Sequence, residues 1–407
     1  MNTAGSWTAA QAVKKTLLAV NLFAVLTAVA FAAPHRHRRS VGAAAAQAPF
    51  REEVVLQGRE VPWAIAFTPD GGMMFTERQG RLRLLQGGVL KSVPIPATDN
   101  IFTGGETGLM DLKLDPQYSS NSQLYFAYVY RLASGALRVR VVRFKLVAQG
   151  QQLSLTERKI IIEGIRAARR HCGTRLGFGP DGKLYVTTGD AHQGQLAQRL
   201  NSLAGKTLRL NPDGTVPADN PFVGQPGARS EIWSLGHRNA QGLDWQPGTG
   251  LMFQTEHGPS GDDGPGGGDE VNIVERRKNY GWPTIHHNQT HAGMELSILR
   301  AISGSSAAVA PASGAFYRSD LFPQYKNNFF FGCLVGQRII RVVLDGRRVI
   351  SHERLPLSGR YGRIREVVEG PGGTIYFSTS NCDGRGICNA SIKDRIVRLV
   401  PNTRTAP

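Results

Sequence analysis

A hairpin signature recurs along the chain, and it constrains the possible folds more strongly than any other feature of the sequence. Each copy has two runs rich in β-forming residues on either side of a tight turn of Pro, Gly and Asp, which is the pattern of a β-hairpin. The turns are TPDG at 68–71, GPDG at 179–182, a degenerate QPGTG at 246–250 and GPGG at 370–373. Further strand-like runs lie at 123–130, 137–146 and 338–344, whereas convincing amphipathic helices are few. The chain is therefore expected to be mostly β.

Recurring hairpins of this kind favour radial repetition, because each sheet can pack its apolar faces on its neighbours. About six units of roughly sixty residues fit between residues 50 and 400. We therefore predict an all-β, six-bladed β-propeller with long inter-strand loops. The rival interpretation is a β-sandwich with long insertions. In a propeller, loops from distant parts of the chain meet around a central channel, so the loops that interrupt the hairpin pattern are expected to carry the chemistry.

The N-terminal segment has the order of a secretory signal peptide. Lys14 and Lys15 precede an apolar run at 17–31, and Ala30-Phe31-Ala32 is a small-residue cleavage site. A single membrane anchor is the alternative, and no later segment is long and apolar enough to cross a bilayer. The sequence thus predicts a signal peptide at 1–32, a low-complexity linker at 33–50 containing GAAAAQAP, and one propeller catalytic domain at 51–407. The expected location is periplasmic or secreted.

The charge of the chain is strongly basic, at +17, but five of the basic residues lie in residues 1–40, which contain no acid, so the rest carries +12. The basic residues are scattered through strands and turns, with no Lys/Arg-rich helix and no aromatic-interleaved RNA motif. Nucleic acid is therefore not an expected partner. A basic surface suits an anionic cofactor or polymers of the cell envelope.

The four cysteines fit an oxidising compartment. Cys382 and Cys388 are close enough in sequence to close one loop with a disulfide. Cys172 follows His171 directly, but adjacent residues rarely present both side chains to one reacting atom, so a Cys–His nucleophile is weakly supported.

Two loops in the first half of the chain interrupt the pattern. The segment 104–111 contains Glu106 among glycines that allow close approach to a ligand, or it simply connects two blades. The segment 171–175 begins with His171, whose imidazole could act as a general base, and ends with Arg175, which could stabilise developing negative charge. Taken alone, His171 could equally be a structural residue before a strand.

Three segments in the second half carry further candidates. SLGHRNAQG at 234–242 offers the guanidinium of Arg238 and the amide of Asn239, which suit a carboxylate or carbonyl. TEHGP at 255–259 leads through a Gly-rich stretch to DEVN at 269–272, and exposed carbonyls and carboxylates are the oxygen ligands that calcium prefers. This is not an EF-hand, and a flexible polar insertion is the alternative for 261–268.

Arg363 and Arg365 are two residues apart. On a strand this spacing would place both side chains on one face, toward a polyanion or solvent.

Together these motifs resemble the soluble PQQ-dependent sugar dehydrogenases, in particular the aldose sugar dehydrogenases related to soluble glucose dehydrogenase. The resemblance covers nearly the whole mature chain. It is carried by VPWAIAFTPDG, GLMDLKLDP, HCGTRLGFGPDGKLYVTTGD, LAGKTLRLNPDGTVP, SLGHRNAQGL, TEHGP, DEVNIVERRKNYGWP, GRIREVVEGPGG and NCDGRG. It also implies a six-bladed propeller, independently of the hairpin count.

The resemblance implies a role for each candidate. His171 matches the base that takes the proton from the anomeric hydroxyl of the sugar, and Arg238 matches the arginine that polarises the quinone C5 oxygen. The expected PQQ contacts are Glu106, Arg175, Arg238, Asn239, His257, Arg363 and Arg365. Gly258 and Pro259 match carbonyl ligands of a Ca²⁺ that contacts PQQ, and Asp269, Glu270 and Tyr280 match the region of a second, structural Ca²⁺.

The sequence departs from the family pattern at four places. Glu106 stands where a glutamine usually contacts PQQ, and Val335 stands where relatives have a lysine. The stretch SSAAVAP at 305–311 lacks an aromatic that would cover the quinone, and GDDGPGG at 261–267 is an insertion beside the calcium loop.

The leading hypothesis is a PQQ- and Ca²⁺-dependent enzyme, monomeric or homodimeric, that oxidises the C1 hydroxyl of aldoses to lactones and passes the electrons to an external acceptor. The departures leave open a non-catalytic propeller that binds glycans or proteins. A calcium-dependent lactonase would need inward carboxylates around one metal, and the loops offer arginines instead.

Overall fold

The computed structural model describes residues 48–96, 100–150, 152–300, 302, 307–389 and 393–402. The predicted signal peptide and the predicted linker up to residue 47 lie outside the described residues. The first strand begins at Phe50, at the end of the range predicted for the linker. None of the helices found in the described ranges has the length and hydropathy needed to span a bilayer.

Six four-stranded antiparallel sheets make up the fold, and the prediction of an all-β, six-bladed propeller is confirmed. The 24 strands are numbered in chain order below. Blades 1 to 5 each consist of four consecutive strands, starting with β2 to β5 in blade 1 and ending with β18 to β21 in blade 5. Blade 6 consists of β22 to β24 together with β1. The first strands are β1 (Phe50–Arg59), β2 (Pro62–Phe67), β3 (Met73–Glu77), β4 (Arg81–Gln86), β5 (Val89–Val93), β6 (Leu109–Leu114), β7 (Gln123–Arg131), β8 (Leu137–Gln149) and β9 (Gln152–Arg166). The middle strands are β10 (Gly173–Phe178), β11 (Leu184–Thr188), β12 (Lys206–Leu210), β13 (Ile232–Leu235), β14 (Ala240–Trp245), β15 (Met252–Glu256), β16 (Glu270–Val274) and β17 (Leu299–Arg300). The last strands are β18 (Pro311–Phe316), β19 (Phe329–Cys333), β20 (Arg338–Asp345), β21 (Arg348–Arg354), β22 (Ile364–Glu369), β23 (Ile375–Thr379) and β24 (Asp394–Pro401).

Helical structure in the described ranges is limited to short turns between strands. They are α1 (Tyr118–Asn121) and the 3₁₀ turns Gly194–Gln198, Pro323–Tyr325 and Pro371–Gly373. The predicted scarcity of helices thus holds for the part of the chain that the structure describes.

The ring closes in the sixth blade, where the N-terminal strand β1 pairs with the C-terminal strand β24. Each blade contributes its first strand to the inner ring, since β2, β6, β10, β14, β18 and β22 each contact the corresponding strands of both neighbouring blades. The middle strand β11 is buried at all five positions, because neighbouring blades cover both of its faces.

The blade topology separates two kinds of loop. In an antiparallel four-stranded meander, the connections from strand 1 to 2 and from 3 to 4 lie at one end of the blade, and those from 2 to 3 and onward to the next blade lie at the other. The turns 68–71, 179–182, 246–250 and 370–373 all join first to second strands. The loops that interrupt the hairpin pattern join second to third strands or adjacent blades, so they meet at the opposite end.

Candidate active site

A cavity of about 400 Å³ lies at the end of the propeller where the irregular loops meet. Its lining is dominated by charge. Six arginines face three carboxylates there, namely Arg78, Arg170, Arg238, Arg363, Arg365 and Arg385 with Glu106, Asp262 and Asp383. The lining also includes His171, Asn239 and His257. The excess of guanidinium groups makes the cavity a site for an anion.

His171 lies in this lining, only 3% exposed, in the loop between β9 and β10. Its Nδ1 lies 2.9 Å from Asp190 Oδ1, and the other oxygen of Asp190 accepts a 2.7 Å hydrogen bond from Trp282 Nε1. Because a carboxylate accepts, Nδ1 is the donor nitrogen in the neutral imidazole, and Nε2 is then the nitrogen with the free lone pair. A histidine held in this way has the tautomer that a general base requires.

Glu106 fixes the backbone of His171, which has a φ of +55° in the left-handed region. Its carboxylate accepts hydrogen bonds from His171 N–H at 2.9 Å and Asn239 Nδ2 at 3.1 Å, and it pairs with Arg385 at 2.9 Å. Burial by itself would raise the pKa of Glu106, but the charge of Arg385 and the hydrogen bond from His171 N–H help to lower it to about 2. The carboxylate at this departure from the family pattern is therefore ionised and neutralised within the protein.

We expect Glu106→Gln to lower the free energy of unfolding by about 1–3 kcal/mol near neutral pH, because charged hydrogen bonds to the carboxylate are lost. The folded pKa is depressed, so this stabilisation is present above the ordinary value of 4.5 and is lost as the pH falls toward 2. Urea unfolding of both proteins at about pH 7 and about pH 3 should show the difference shrinking in acid. The control is Glu163, whose side chain is 43% exposed and pairs with Arg140. Glu163→Gln should lower the free energy of unfolding by only about 0–1 kcal/mol. Equal losses in the two variants would contradict this account.

Arg238 is held by the insertion that distinguishes this chain from its family pattern. Asp263 accepts hydrogen bonds from Nε and Nη2 of Arg238, both at 2.8 Å, and the carbonyl of His257 accepts one from Nη1 at 2.9 Å. Three of the five guanidinium N–H groups are thus engaged, and one on each terminal nitrogen is left for a ligand. Gly258 leaves room for this side chain, because a Cβ there would lie 2.2 Å from Arg238 Nη1.

Three side chains of the lining carry buried nitrogens that have no hydrogen-bond partner within the described chain. They are Arg78 and Arg365, each through Nε, and His257, through Nε2. Burial lowers the pKa of Arg365 to about 9 and that of His257 to about 3. Buried orphan donors and acceptors are costly, so they indicate a ligand that completes them. Arg365 and His257, like Asn239, were predicted to contact a cofactor, whereas Arg78 was not.

Arg363 also lines the cavity, but it precedes β22 rather than lying on the same strand face as Arg365. The strand begins at Ile364, and its pairing with β23 is irregular between Ile364 and Glu366. The predicted simple alternation therefore does not occur, although the two arginines still meet in the lining. Arg363 Nε donates to Asp383 at 2.9 Å.

Arg175 is not among the residues that line the cavity. Its guanidinium pairs with Asp111 at 3.1 Å and with Glu366 at 2.8 Å, and it lies 4.5 Å from the centre of the Trp63 ring. Arg175 was expected to contact a cofactor, but it lies outside the cavity lining. Its ion pairs join inner strands of different blades instead.

A disulfide loop forms one wall of the cavity. Cys382 and Cys388 are bonded, as their spacing suggested. The loop between them places Asp383 on Arg363 and Arg385 on Glu106. Neither Asp383 nor Arg385 was predicted from the sequence to be part of the site. Cys172, by contrast, is buried and donates to a backbone carbonyl, and burial raises the pKa of its thiol, which does not suit a nucleophile.

The residues predicted to bind calcium form hydrogen bonds within the protein. Asp269 accepts hydrogen bonds from the N–H groups of Gly258, Val309 and Ala310, and the Pro259 carbonyl accepts one from Gly268. Tyr280 donates to the Ile273 carbonyl. Glu270 is bound to Asn272 Nδ2 at 2.9 Å, and burial together with the charge of Glu256 raises the pKa of Glu270 to about 8.

Asn272, which lies beside the carboxylates of Glu256 and Glu270, has a buried oxygen, Oδ1, with no partner within the described chain. These two carboxylates and this oxygen form a donor set that fits a hard cation such as Ca²⁺.

The remaining departures form an apolar edge of the cavity. Val335 is 54% exposed and lines it together with Ala308, Ala310 and Leu334. Of the stretch 305–311, residues 307–311 are described, and no aromatic lies among them.

By its similarity to known proteins, this propeller is of the sugar dehydrogenase class. The family model described as Glucose / Sorbosone dehydrogenase matches residues 59–390, and the chain belongs to this family, as predicted. The chain is 35% identical over 353 residues to the aldose sugar dehydrogenase YliI of Escherichia coli strain K12, a match that covers 84% of this chain and 92% of that protein.

Two solved structures show the same fold. The apo form of the soluble aldose sugar dehydrogenase from Escherichia coli matches with a TM-score of 0.76 and 30% identity over 87% of this chain and 100% of that one. The PQQ-bound form of the aldose sugar dehydrogenase from Streptomyces coelicolor matches with a TM-score of 0.71 and 28% identity over 87% and 99%.

Proposed function

We propose that this protein oxidises the C1 hydroxyl of aldose sugars to lactones, with PQQ as cofactor and His171 as the general base. The observation that carries the proposal is the orientation of His171 by Asp190 in the wall of a cavity lined by six arginines. The relative from Streptomyces coelicolor, whose structure contains PQQ, supports the choice of cofactor.

The residues of the cavity fit PQQ, which is a planar quinone with three carboxylates. Arg363 and Arg365 offer guanidinium groups to carboxylates, and the orphan Nε of Arg365 would gain a partner. Arg238, Asn239 and His257 would contact the cofactor as well. When bound, PQQ supplies the two-electron acceptor for the hydride that leaves C1 of the sugar.

His171 and Asp190 perform the proton transfer. Nε2 of His171 accepts the proton of the anomeric hydroxyl, and Asp190 stabilises the imidazolium that forms through its contact with Nδ1. Arg238 places positive charge beside the site through its two remaining N–H groups, where negative charge develops.

Calcium is proposed at two places. The carbonyls of Gly258 and Pro259 would hold one ion at the cofactor, and the region of Asp269, Glu270 and Tyr280 would hold a structural ion. A bound Ca²⁺ supplies Lewis acidity and charge compensation. A metal-centred lactonase is less well supported, because the three carboxylates of the cavity each pair with arginine.

Reconstitution tests the proposal directly. Purified protein should acquire quinone absorbance that survives gel filtration when PQQ and Ca²⁺ are added, and it should then reduce a dye in the presence of aldoses. A chelator should remove the activity. Binding of glycans by calorimetry with neither PQQ uptake nor dye reduction would instead identify a non-catalytic propeller. We further propose a periplasmic or secreted enzyme that uses an external electron acceptor.

A further inference from the structure

Three side chains with metal-binding groups meet at the edge of the cavity, outside the predicted calcium loops. One ligand atom each of His171, His192 and Asp263 lies within 4.8 Å of the other two. Across the described ranges, no other group of three His, Cys, Asp or Glu side chains is this close.

Asp190 holds the ring of His171 and the backbone of His192. Its Oδ1 is bound to His171 Nδ1 at 2.9 Å and accepts the backbone N–H of His192 at 2.7 Å. The two rings meet edge to face with their centres 4.8 Å apart. Because Nδ1 of His171 is occupied, Nε2 is the nitrogen that can bind a metal. Metal-binding histidines are typically held through their other nitrogen by a carboxylate in this way.

Arg238 supports the third group. It binds both oxygens of Asp263 at 2.8 Å, and each oxygen keeps a lone pair beyond that contact. Carboxylates that bind metals are themselves usually hydrogen-bonded. A second carboxylate oxygen, Asp262 Oδ2, lies 3.5 Å from His192 Nε2 and adds negative charge. The side chain of His192 is 42% exposed, so an ion can enter from solvent.

We propose that His171, His192 and Asp263 form a binding site for a divalent transition metal, with Zn²⁺ as the reference ion. Two imidazoles and one carboxylate, with a fourth position left for water, are a donor set that suits zinc, whereas calcium takes oxygen ligands. Zinc bonds of about 2.0–2.2 Å place tetrahedral ligand atoms roughly 3.4 Å apart. Because the three ligand atoms lie up to 4.8 Å apart, His192 and the insertion at 261–267 must close by up to about 1.4 Å around the ion.

Metal binding and sugar oxidation then exclude each other. The lone pair on His171 Nε2 that a metal would occupy is the one that accepts the proton of the sugar. This consequence rests on the proposed function, whereas the metal site itself does not. Zinc is therefore an inhibitor that acts at the base.

Calorimetry on the apoprotein tests the site without PQQ or sugar. Zn²⁺ is titrated into the full-length protein in saturating Ca²⁺, which occupies oxygen-ligand sites. We expect one saturable zinc site whose affinity falls at least about 10- to 100-fold in His192→Ala, the scale seen when even an outer partner of a metal ligand is lost. Asp263→Asn should also weaken it, and His352→Ala, at an exposed histidine on β21, should bind zinc like the wild type.

Absence of saturable zinc binding, or the same affinity in His192→Ala as in the wild type, would overturn the site. Inhibition is measured separately in the reconstituted enzyme, as the zinc concentration that halves each protein's own uninhibited rate. That concentration should rise in His192→Ala by the same factor as the zinc dissociation constant. Tight zinc binding that depends on His192 but leaves the rate unchanged would refute the inhibition while retaining the metal site.

Discussion

Replacing His171 with alanine should lower the rate of aldose oxidation by about 100- to 10,000-fold, because a positioned general base contributes that much to proton transfer. PQQ binding should persist, since the guanidinium groups of the cavity remain. The measurements are dye reduction under saturating sugar and the quinone absorbance of the reconstituted variant. Added imidazole should restore part of the lost rate in His171→Ala, because the free base can enter the space that the side chain leaves.

The imidazole experiment separates a base from a residue that only shapes the cavity. A structural role for His171 would give a variant that imidazole does not rescue. His352→Ala removes an exposed histidine and should retain the wild-type rate. A rate within a few-fold of wild type in His171→Ala would exclude His171 as the base.

Replacing Arg365 with methionine should change stability and cofactor affinity in opposite directions. In the apoprotein the guanidinium is buried, one of its nitrogens has no partner within the described chain, and Gln241 Oε1 accepts from another at 2.8 Å. A methionine of similar length removes the cost of burying that charge, so the free energy of unfolding should rise by about 1–2 kcal/mol. PQQ should lose about 2–5 kcal/mol of binding, roughly 30- to several-thousand-fold in Kd.

Thermal or urea unfolding of the apoprotein and fluorescence titration with PQQ measure the two effects. Arg348→Met is the matched control, because it removes the same charge from a side chain that is 73% exposed. It should leave both quantities nearly unchanged. An Arg365→Met variant that is less stable than wild type as apoprotein and binds PQQ equally well would show that Arg365 serves the scaffold rather than the cofactor.

The sequence was sufficient to predict the propeller because the hairpin turns recur at the same place in the blades. The hairpin pattern did not reveal blades 2 and 5. The turn between their first and second strands contains α1 in blade 2 and the 3₁₀ turn Pro323–Tyr325 in blade 5, not a Pro-Gly-Asp turn.

Motifs with their own chemistry pointed to His171, Arg238, Arg363 and Arg365, and the structure brings these four residues into the cavity lining. Arg175 was misjudged because it is close to His171 in sequence. The pairing of β10 with β11 is irregular between Gly173 and Leu176, and Arg175 is directed toward Asp111 and Glu366.

Asp263 and Arg385 were missed because their partners are distant in the chain. Asp263 binds Arg238, 25 residues away, and Arg385 binds Glu106, 279 residues away. Such ion pairs depend on which loops the ring brings together, and no local periodicity encodes that.

The pairing of β1 with β24 has a consequence for how the molecule is made. Phe50 lies opposite Pro401, so this contact closes a loop of about 350 residues. Its entropic cost is offset only when the ring is otherwise assembled, and β24 is synthesised after the other strands of the propeller. The nascent chain must therefore hold β1 unpaired until β24 has been made, which leaves an unpaired strand edge in the meantime.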